Sequence, residues 1–207
     1  RAQDLFNSFL ERLAQVRVLD PACGSGNFLY LVLRGLKDLE HQVILEVEQL
    51  ALGLGGQFAI HTGPQNVLGM EVNPYAAELA RVTIWIGHLQ WLLAHGYSIQ
   101  QHPILQPLNQ IDCQDAIMTA AGVEPKWPTA DFIVGNPPFL GDKKMIGVLG
   151  EEYVTQLRRL YQGRVPGGAD LVTYWFEKAR TQLETREVTG VGLVATNSIR
   201  QTTNRKV

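Results

Sequence analysis

Apolar residues in the first half of the chain switch between two rhythms. Val16 to Asp20 is a short apolar run of strand type. From Gly26 to about Leu52, apolar side chains recur at Phe28, Leu29, Val32, Leu33, Leu36, Leu39, Val43, Ile44 and Val47, the spacing of a long amphipathic helix. Residues 53 to 65, rich in glycine with one proline, predict a loop. Val67 to Val72 reads as a second strand, and Pro74 to about Ala94 as a second helix with Pro74 in its first turn. Ile111 begins a third short strand ending near Cys113, and Phe132 to Gly135 is a fourth. Leu171 to Thr185 is an apolar-faced helix and Val191 to Ala195 a fifth strand. Strands separated by helices imply an α/β fold with a doubly wound, mostly parallel sheet. The stretch from Gly141 to Gly168 is polar and glycine-rich and predicts a loop. Its Lys143, Lys144, Arg158, Arg159 and Arg164 read as solvated loop charges in preference to a DNA-facing surface.

At 207 residues, 45% hydrophobic and 18% charged, the chain fits one domain with one well-filled core. Cys23 and Cys113 lie far apart without metal-ligand spacing, which points to a reducing, cytoplasmic setting, with no metal site and no disulfide framework. No basic segment followed by an apolar one opens the chain, and the helical stretch from Ala76 to Leu93 carries Glu78, Arg81, His88 and Gln90, so neither a signal nor a membrane span is expected. A formal charge of −2 argues against a self-sufficient nucleic-acid binder, because phosphate contacts need a basic excess.

Two segments carry candidate chemistry. The fourth strand runs into Asn136-Pro137-Pro138-Phe139, where consecutive prolines cannot continue a ladder and fix φ near −65°. The result is a stiff turn at the carboxyl edge of the sheet, where open α/β folds place ligands. An amide side chain, a backbone carbonyl and an aromatic ring there suit a planar amine. Taken alone, the tetrapeptide fits an ordinary proline turn equally well. The second segment, Asp20-Pro21-Ala22-Cys23-Gly24-Ser25-Gly26-Asn27-Phe28, follows the first strand and opens the long helix, as a nucleotide-cofactor turn does. Leu29 stands where a dinucleotide fingerprint has its third glycine, and Asp20 would repel a pyrophosphate. A zwitterionic sulfonium ligand with an amino group would instead find a partner in Asp20. Glu71 ends the second strand, where ribose hydroxyls are held, although much further along than the roughly 20 residues of the dinucleotide pattern.

Together these segments resemble the amino-methyltransferase branch of the S-adenosylmethionine-dependent methyltransferases, and the resemblance is nearly chain-long. Val18 to Phe28 is similar to the cofactor motif in the form typical of DNA adenine-N6 enzymes. Gly69-Met70-Glu71-Val72-Asn73-Pro74 is similar to the ribose motif, Cys113-Gln114-Asp115-Ala116 to the motif whose acid meets the cofactor's adenine amine, and Asn136 to Phe139 to the catalytic motif. Asp170 to Phe176 and Gly192 to Ser198 look like later motifs of the group. The order, cofactor motif before catalytic motif, is that of the gamma group. Asn-Pro-Pro-Phe-Leu-Gly followed by Lys-Lys-Met resembles single-chain restriction-modification and phage-defence enzymes.

The resemblance implies a Rossmann-like class I methyltransferase fold spanning residues 1–207. It assigns S-adenosylmethionine to Asp20, Ala22, Gly24, Gly26, Asn27, Phe28, Glu71, Val72, Asp115 and Ala116, with Asp112 as the alternative to Asp115. It gives the catalytic role to Asn136, Pro137, Pro138 and Phe139. A complete domain of this kind carries a sixth strand and a hairpin after the fifth, and a longer segment before the first than the about fifteen residues present here. The chain therefore reads as a fragment whose DNA-gripping and target-recognition modules lie outside it, which leaves open a fused endonuclease. The implied reaction is methyl transfer to N6 of an adenine flipped out of DNA, in a restriction-modification or defence system. The alternatives are transfer to a protein glutamine or to RNA, and a cofactor-binding module without activity of its own. No general base is required, and His41, His61, His88, His95 and His102, which fall in no motif, read as surface or partly packed residues. Cys23 reads as a packing residue, Trp85 and Trp91 as core, and Tyr174, Trp175 and Phe176 as mostly core with one free to line the target-base pocket.

Overall fold

A computed structural model describes residues 2–49, 59–97, 109–200 and 203–207. Among these residues five parallel strands form one sheet in the order β3-β2-β1-β4-β5, with β1 Val18–Asp20, β2 Val67–Glu71, β3 Ile111–Cys113, β4 Phe132–Gly135 and β5 Gly190–Leu193. Val18 stands opposite Val67 on one side and Phe132 on the other, so the chain reverses its winding between β1 and β4. That is the switch point at which open α/β sheets bind ligands.

Six helices accompany these strands among the described residues: α1 Ala2–Gln15, α2 Asn27–Gln49, α3 Pro74–Ala94, α4 Asp142–Leu149, α5 Glu151–Leu160 and α6 Val172–Glu184. On one face of the sheet α2 and α3 bury Leu29, Leu33, Ala77, Ala80 and Ile84 against Val67 and Ile111. On the other, Met145 of α4, Val154 and Leu157 of α5, and Tyr174 and Trp175 of α6 close over Leu19, Met70 and Ile133. Leu19, Met70 and Ile133 are completely buried, and each such side chain contributes about 1.5–3 kcal/mol through its removal from water. The link from β3 to β4 contains no helix. It is held instead by Trp127, whose buried indole N–H donates to the Ala116 carbonyl at 2.7 Å.

Most expected elements stand close to their predicted places, with five differences. The first strand begins at Val18 rather than Val16, because Val16 N–H still donates to the Leu13 carbonyl at the end of α1, and Arg17 bonds to Asp131. The short segment before β1 is itself a helix. Phe6, Leu10 and Leu13 line its inner face, and Phe6 and Leu10 meet Ile44 and Val47 of α2. The largest correction concerns 141–168, expected as a loop, which contains α4 and α5 joined at Gly150 with φ +88°. Lys143, Lys144, Arg158 and Arg159 therefore lie on helices. Arg158 pairs with Asp142 across the two helices, and Arg164 pairs with Glu124. The second strand stops at Glu71 rather than Val72 and the fifth spans Gly190–Leu193 rather than 191–195, while the last turn expected for the first long helix, beyond Gln49, lies outside the described residues.

Buried polar groups tie the layers together. Glu40 of α2, fully buried, accepts from the amides of His61 and Thr62 at 2.8 Å each and from the Thr62 hydroxyl at 2.6 Å. The Asn66 amide donates to the Ala14 and Val16 carbonyls, which fixes the end of α1 against the start of β2. Among the described residues no helix is long and apolar enough to cross a membrane.

Candidate active site

The ends of β1, β2 and β4 and the turn after β3 open onto one cleft of about 620 Å³. Pro21 and Ala22, which open the glycine turn after β1, form part of its floor. Cys23 N–H donates to the Met70 carbonyl at 3.0 Å, and Gly26 N–H to the Cys23 carbonyl at 2.8 Å. Gly24 and Gly26 have φ of +53° and +87°, a conformation that costs side-chain-bearing residues energy. A Cβ on Gly26 would also stand 3.1 Å from the Ala80 Cα, so the absent side chain lets α2 start against α3.

Two acids support this floor. Asp20 is 1% exposed, and its Oδ1 accepts from Ala22 N–H at 3.0 Å. Burial pushes its carboxyl up from 3.8 to about 7, with the Ala22 amide opposing and the Glu71 charge adding to the rise. Glu71 uses both oxygens on backbone: Oε2 accepts from Gly24 N–H at 3.0 Å and Oε1 from Asn73 N–H at 2.8 Å. Asn73 in turn caps α3 by accepting from the Tyr75 and Ala76 amides. The Glu71 carboxylate is thus fixed in orientation, with lone pairs left for a hydroxyl-bearing ligand in the cleft. Asp115 is held similarly. Its Oδ1 accepts from Ile117 and Met118 N–H at 2.8 and 3.2 Å, and its Oδ2 from the Tyr153 hydroxyl at 2.6 Å.

The proline turn forms the opposite lip. Asn136 and Pro138 line the cleft, Phe139 lines it at 41% exposure, and Pro137 is buried between them. The turn is anchored on both sides. The Gly135 carbonyl accepts from Val194 N–H at 2.9 Å, and the Leu140 carbonyl accepts from Leu171 N–H at 2.9 Å. Trp175 fixes lip to floor, its indole N–H donating to the Pro21 carbonyl at 3.0 Å.

Of the residues expected at the site, Ala22, Glu71, Val72, Asp115, Ala116, Asn136, Pro138 and Phe139 line the cleft. Asp20, Gly24, Gly26 and the buried Pro137 do not line it, and Asn27 and Phe28 begin α2 without lining it. Asp115 faces the cleft and Asp112, on β3, does not. Sequence reasoning missed the wall made by Val148, Leu149 and Tyr153 of α4 and α5, because glycines and charges dominate that stretch. Cys23 is buried and its thiol is pushed up to about 12, chiefly by burial and then by Asp20 and Glu71, so it stays an un-ionised packing group. His41 and His95 pack with Trp91 and Tyr97 beside α2 and α3, and His61 bonds to Glu40. His88 is half-buried and held down to about 4 by burial and then by Lys37, while His102 lies outside the described residues. No cluster of three or more His, Cys, Asp or Glu able to hold a metal occurs among the described residues.

The cleft therefore offers fixed carboxylates along one side and an amide acceptor with an aromatic ring on the other. Comparison with known proteins gives this arrangement a family. The family model for the MmeI DNA-methyltransferase domain matches residues 1–207. DNA methyltransferase A of Bacillus subtilis (strain 168) is 25% identical over 205 residues, which cover 94% of this chain and 22% of that protein. The Type IIL restriction-modification enzyme MmeI, solved in complex with DNA, superposes with a TM-score of 0.70 at 25% identity, covering 96% of this chain and 27% of its own. The ATP-dependent Type ISP enzyme LlaBIII, bound to DNA, shares the fold with a TM-score of 0.52 at 16% identity, over 91% of this chain and 13% of its own. The chain thus spans about a quarter of the length of the first two.

Proposed function

The chain belongs to the family of MmeI DNA-methyltransferase domains, and from that premise we propose that it transfers a methyl group from S-adenosylmethionine to N6 of an adenine flipped out of DNA, within a restriction-modification or defence system. The observation that carries this reading is that Asn136, Pro138 and Phe139 and the acids Glu71 and Asp115 line one cleft at the switch point of the sheet. The residue set fits the cofactor: Asp20 suits the ammonium of its zwitterionic amino-acid end and the glycine turn that end's close approach, Glu71 its ribose hydroxyls, and Asp115 and Val72 its purine. When bound, S-adenosylmethionine supplies an electrophilic methyl group.

The remaining work falls to this chain's own residues. An exocyclic adenine nitrogen is a poor nucleophile because its lone pair is delocalised into the ring. The Asn136 side-chain oxygen and the Pro137 carbonyl accept the two N–H groups of the amine, favour a pyramidal nitrogen, and stabilise the positive charge that develops on it. Pro138 keeps both acceptors preorganised, and Phe139 stacks on the extruded base. With a formal charge of −2 on these 207 residues, we assign the grip on DNA phosphates to modules beyond them.

The test is methylation of DNA, protein and RNA by the wild type and by Asn136→Ala, with cofactor affinity measured alongside. Transfer to DNA that is abolished in the variant, at near-unchanged cofactor affinity, is the expected result. Label appearing only in protein or RNA would replace adenine in DNA as the substrate, and unchanged transfer by the variant would remove Asn136 from the mechanism.

A further inference from the structure

Tyr153 belongs to none of the motifs that point to the cofactor, yet it stands on the cofactor side of the cleft. It sits in the first turn of α5, which is seated by buried Val154 and Leu157, and its ring lines the same cleft as Val72, Asp115 and Ala116. Its hydroxyl donates to Asp115 Oδ2 at 2.6 Å, while Asp115 Oδ1 is taken by the Ile117 and Met118 amides. Three donors thus fix one carboxylate that has no salt-bridge partner among the described residues. A phenol has one hydrogen, and this one is committed to Asp115. Burial, and next the Asp115 carboxylate, push the phenol above its ordinary value of 10.0, so the hydrogen stays on oxygen at working pH. What Tyr153 has left to offer a ligand is acceptor capacity alone. Asp115 Oδ2 likewise keeps an acceptor position beyond the one that Tyr153 fills.

We propose that Asp115 and Tyr153 act as a two-acceptor clamp on the exocyclic amine of the cofactor's purine, which makes Tyr153 a specificity-determining residue of the cofactor site. The inference rests on the cofactor reading above and adds to it a discrimination. A 6-amino purine brings two N–H groups to two acceptors. A 6-keto purine replaces both with an oxygen acceptor and keeps one hydrogen, on ring N1, so one acceptor of the pair faces an oxygen, and Tyr153 cannot turn its hydrogen to that oxygen without giving up Asp115.

The probes are S-adenosylhomocysteine, its inosine counterpart and its 6-unsubstituted purine counterpart, titrated calorimetrically into the wild type and Tyr153→Phe. The variant keeps the ring and removes only the hydroxyl. The wild type is expected to favour the amine over the keto compound, and that preference is expected to fall about tenfold in the variant, the weight of roughly one hydrogen bond. A general loosening of the wall would weaken both ligands alike and leave the ratio intact, so an unchanged ratio overturns the clamp while leaving the cofactor reading standing. Failure of the wild type to bind S-adenosylhomocysteine overturns the cofactor reading and the clamp with it. Should the variant not fold, the wild type decides alone: repulsion requires the keto compound to bind more weakly than the unsubstituted purine, and the opposite order overturns the inference.

Discussion

Replacing Asp20 by Asn separates what this buried carboxylate costs the fold from what it does for a ligand. The side chain is 1% exposed and its carboxyl rises from 3.8 to about 7, mainly through loss of hydration. In the unfolded chain the group is ionised above 3.8. In the folded protein it holds its proton until about 7. Between these values the folded state binds the extra proton, so stability falls as pH rises through the window, and the full cost is present above it. At about 1.4 kcal/mol for each pH unit, the displacement corresponds to roughly 4 kcal/mol as a ceiling. Asn keeps an acceptor for Ala22 N–H and cannot ionise. Urea denaturation at about pH 5 and about pH 8 should therefore show the Asp20→Asn protein gaining on the wild type by up to about 4 kcal/mol at the higher pH, with the gap narrowing at the lower. The same variant should bind S-adenosylmethionine more weakly, because a cationic amino group stabilises the ionised form of Asp20. For the wild type, binding near pH 6 should accordingly release a proton, visible as a buffer-dependent enthalpy. Parallel pH profiles for the two proteins would refute the assignment of a burial cost to Asp20.

Two further substitutions test the scaffold. Gly26→Ala forces a Cβ onto a residue at φ +87° and to within 3.1 Å of the Ala80 Cα; it should cost about 2 kcal/mol or more in thermal or urea unfolding, and a neutral result would mean that α2 and α3 separate easily at this crossing. Glu40→Ala leaves the His61 and Thr62 amides and the Thr62 hydroxyl without their acceptor, with buried Lys37 nearby. The loss should be about 3–5 kcal/mol in urea, and one below about 1 kcal/mol would show that water replaces the carboxylate.

Elements whose residues answer to a single physical rule are legible from sequence. Strand β4 is bounded by Asp131 and the double proline, and α3 by the Asn73 cap with Pro74 behind it, so both fall where expected. The turn after β1 is legible because its glycines and Asp20 have no simpler use. Helices α4 and α5 are not, because their inward residues Met145, Val154 and Leu157 are spread over two short helices broken by Gly150, and neither helix alone shows a long period. Helix α1 escapes for another reason: Phe6 and Leu10 of its inner face meet α2 and not the sheet, so the short run of residues before β1 carries no sheet-directed signal of its own. The cost falls on the site, where the acids on strand ends can be read in advance and the wall holding Tyr153 cannot.

Gly135 has a consequence for how this site can change. A Cβ built at this last residue of β4 would lie 2.6 Å from Asp20 Oδ1. The strand that delivers the proline turn and the strand that delivers the buried acid are therefore interlocked at one atom's distance. Any side chain at 135 requires the carboxylate at 20 to shift. Selection acting on the lip of the cleft is thus felt at its floor, and variants chosen for a new acceptor substrate should arrive with altered dependence on the donor. Two positions 115 residues apart in the chain are thus sterically coupled, and a change at one is expected to require a change at the other.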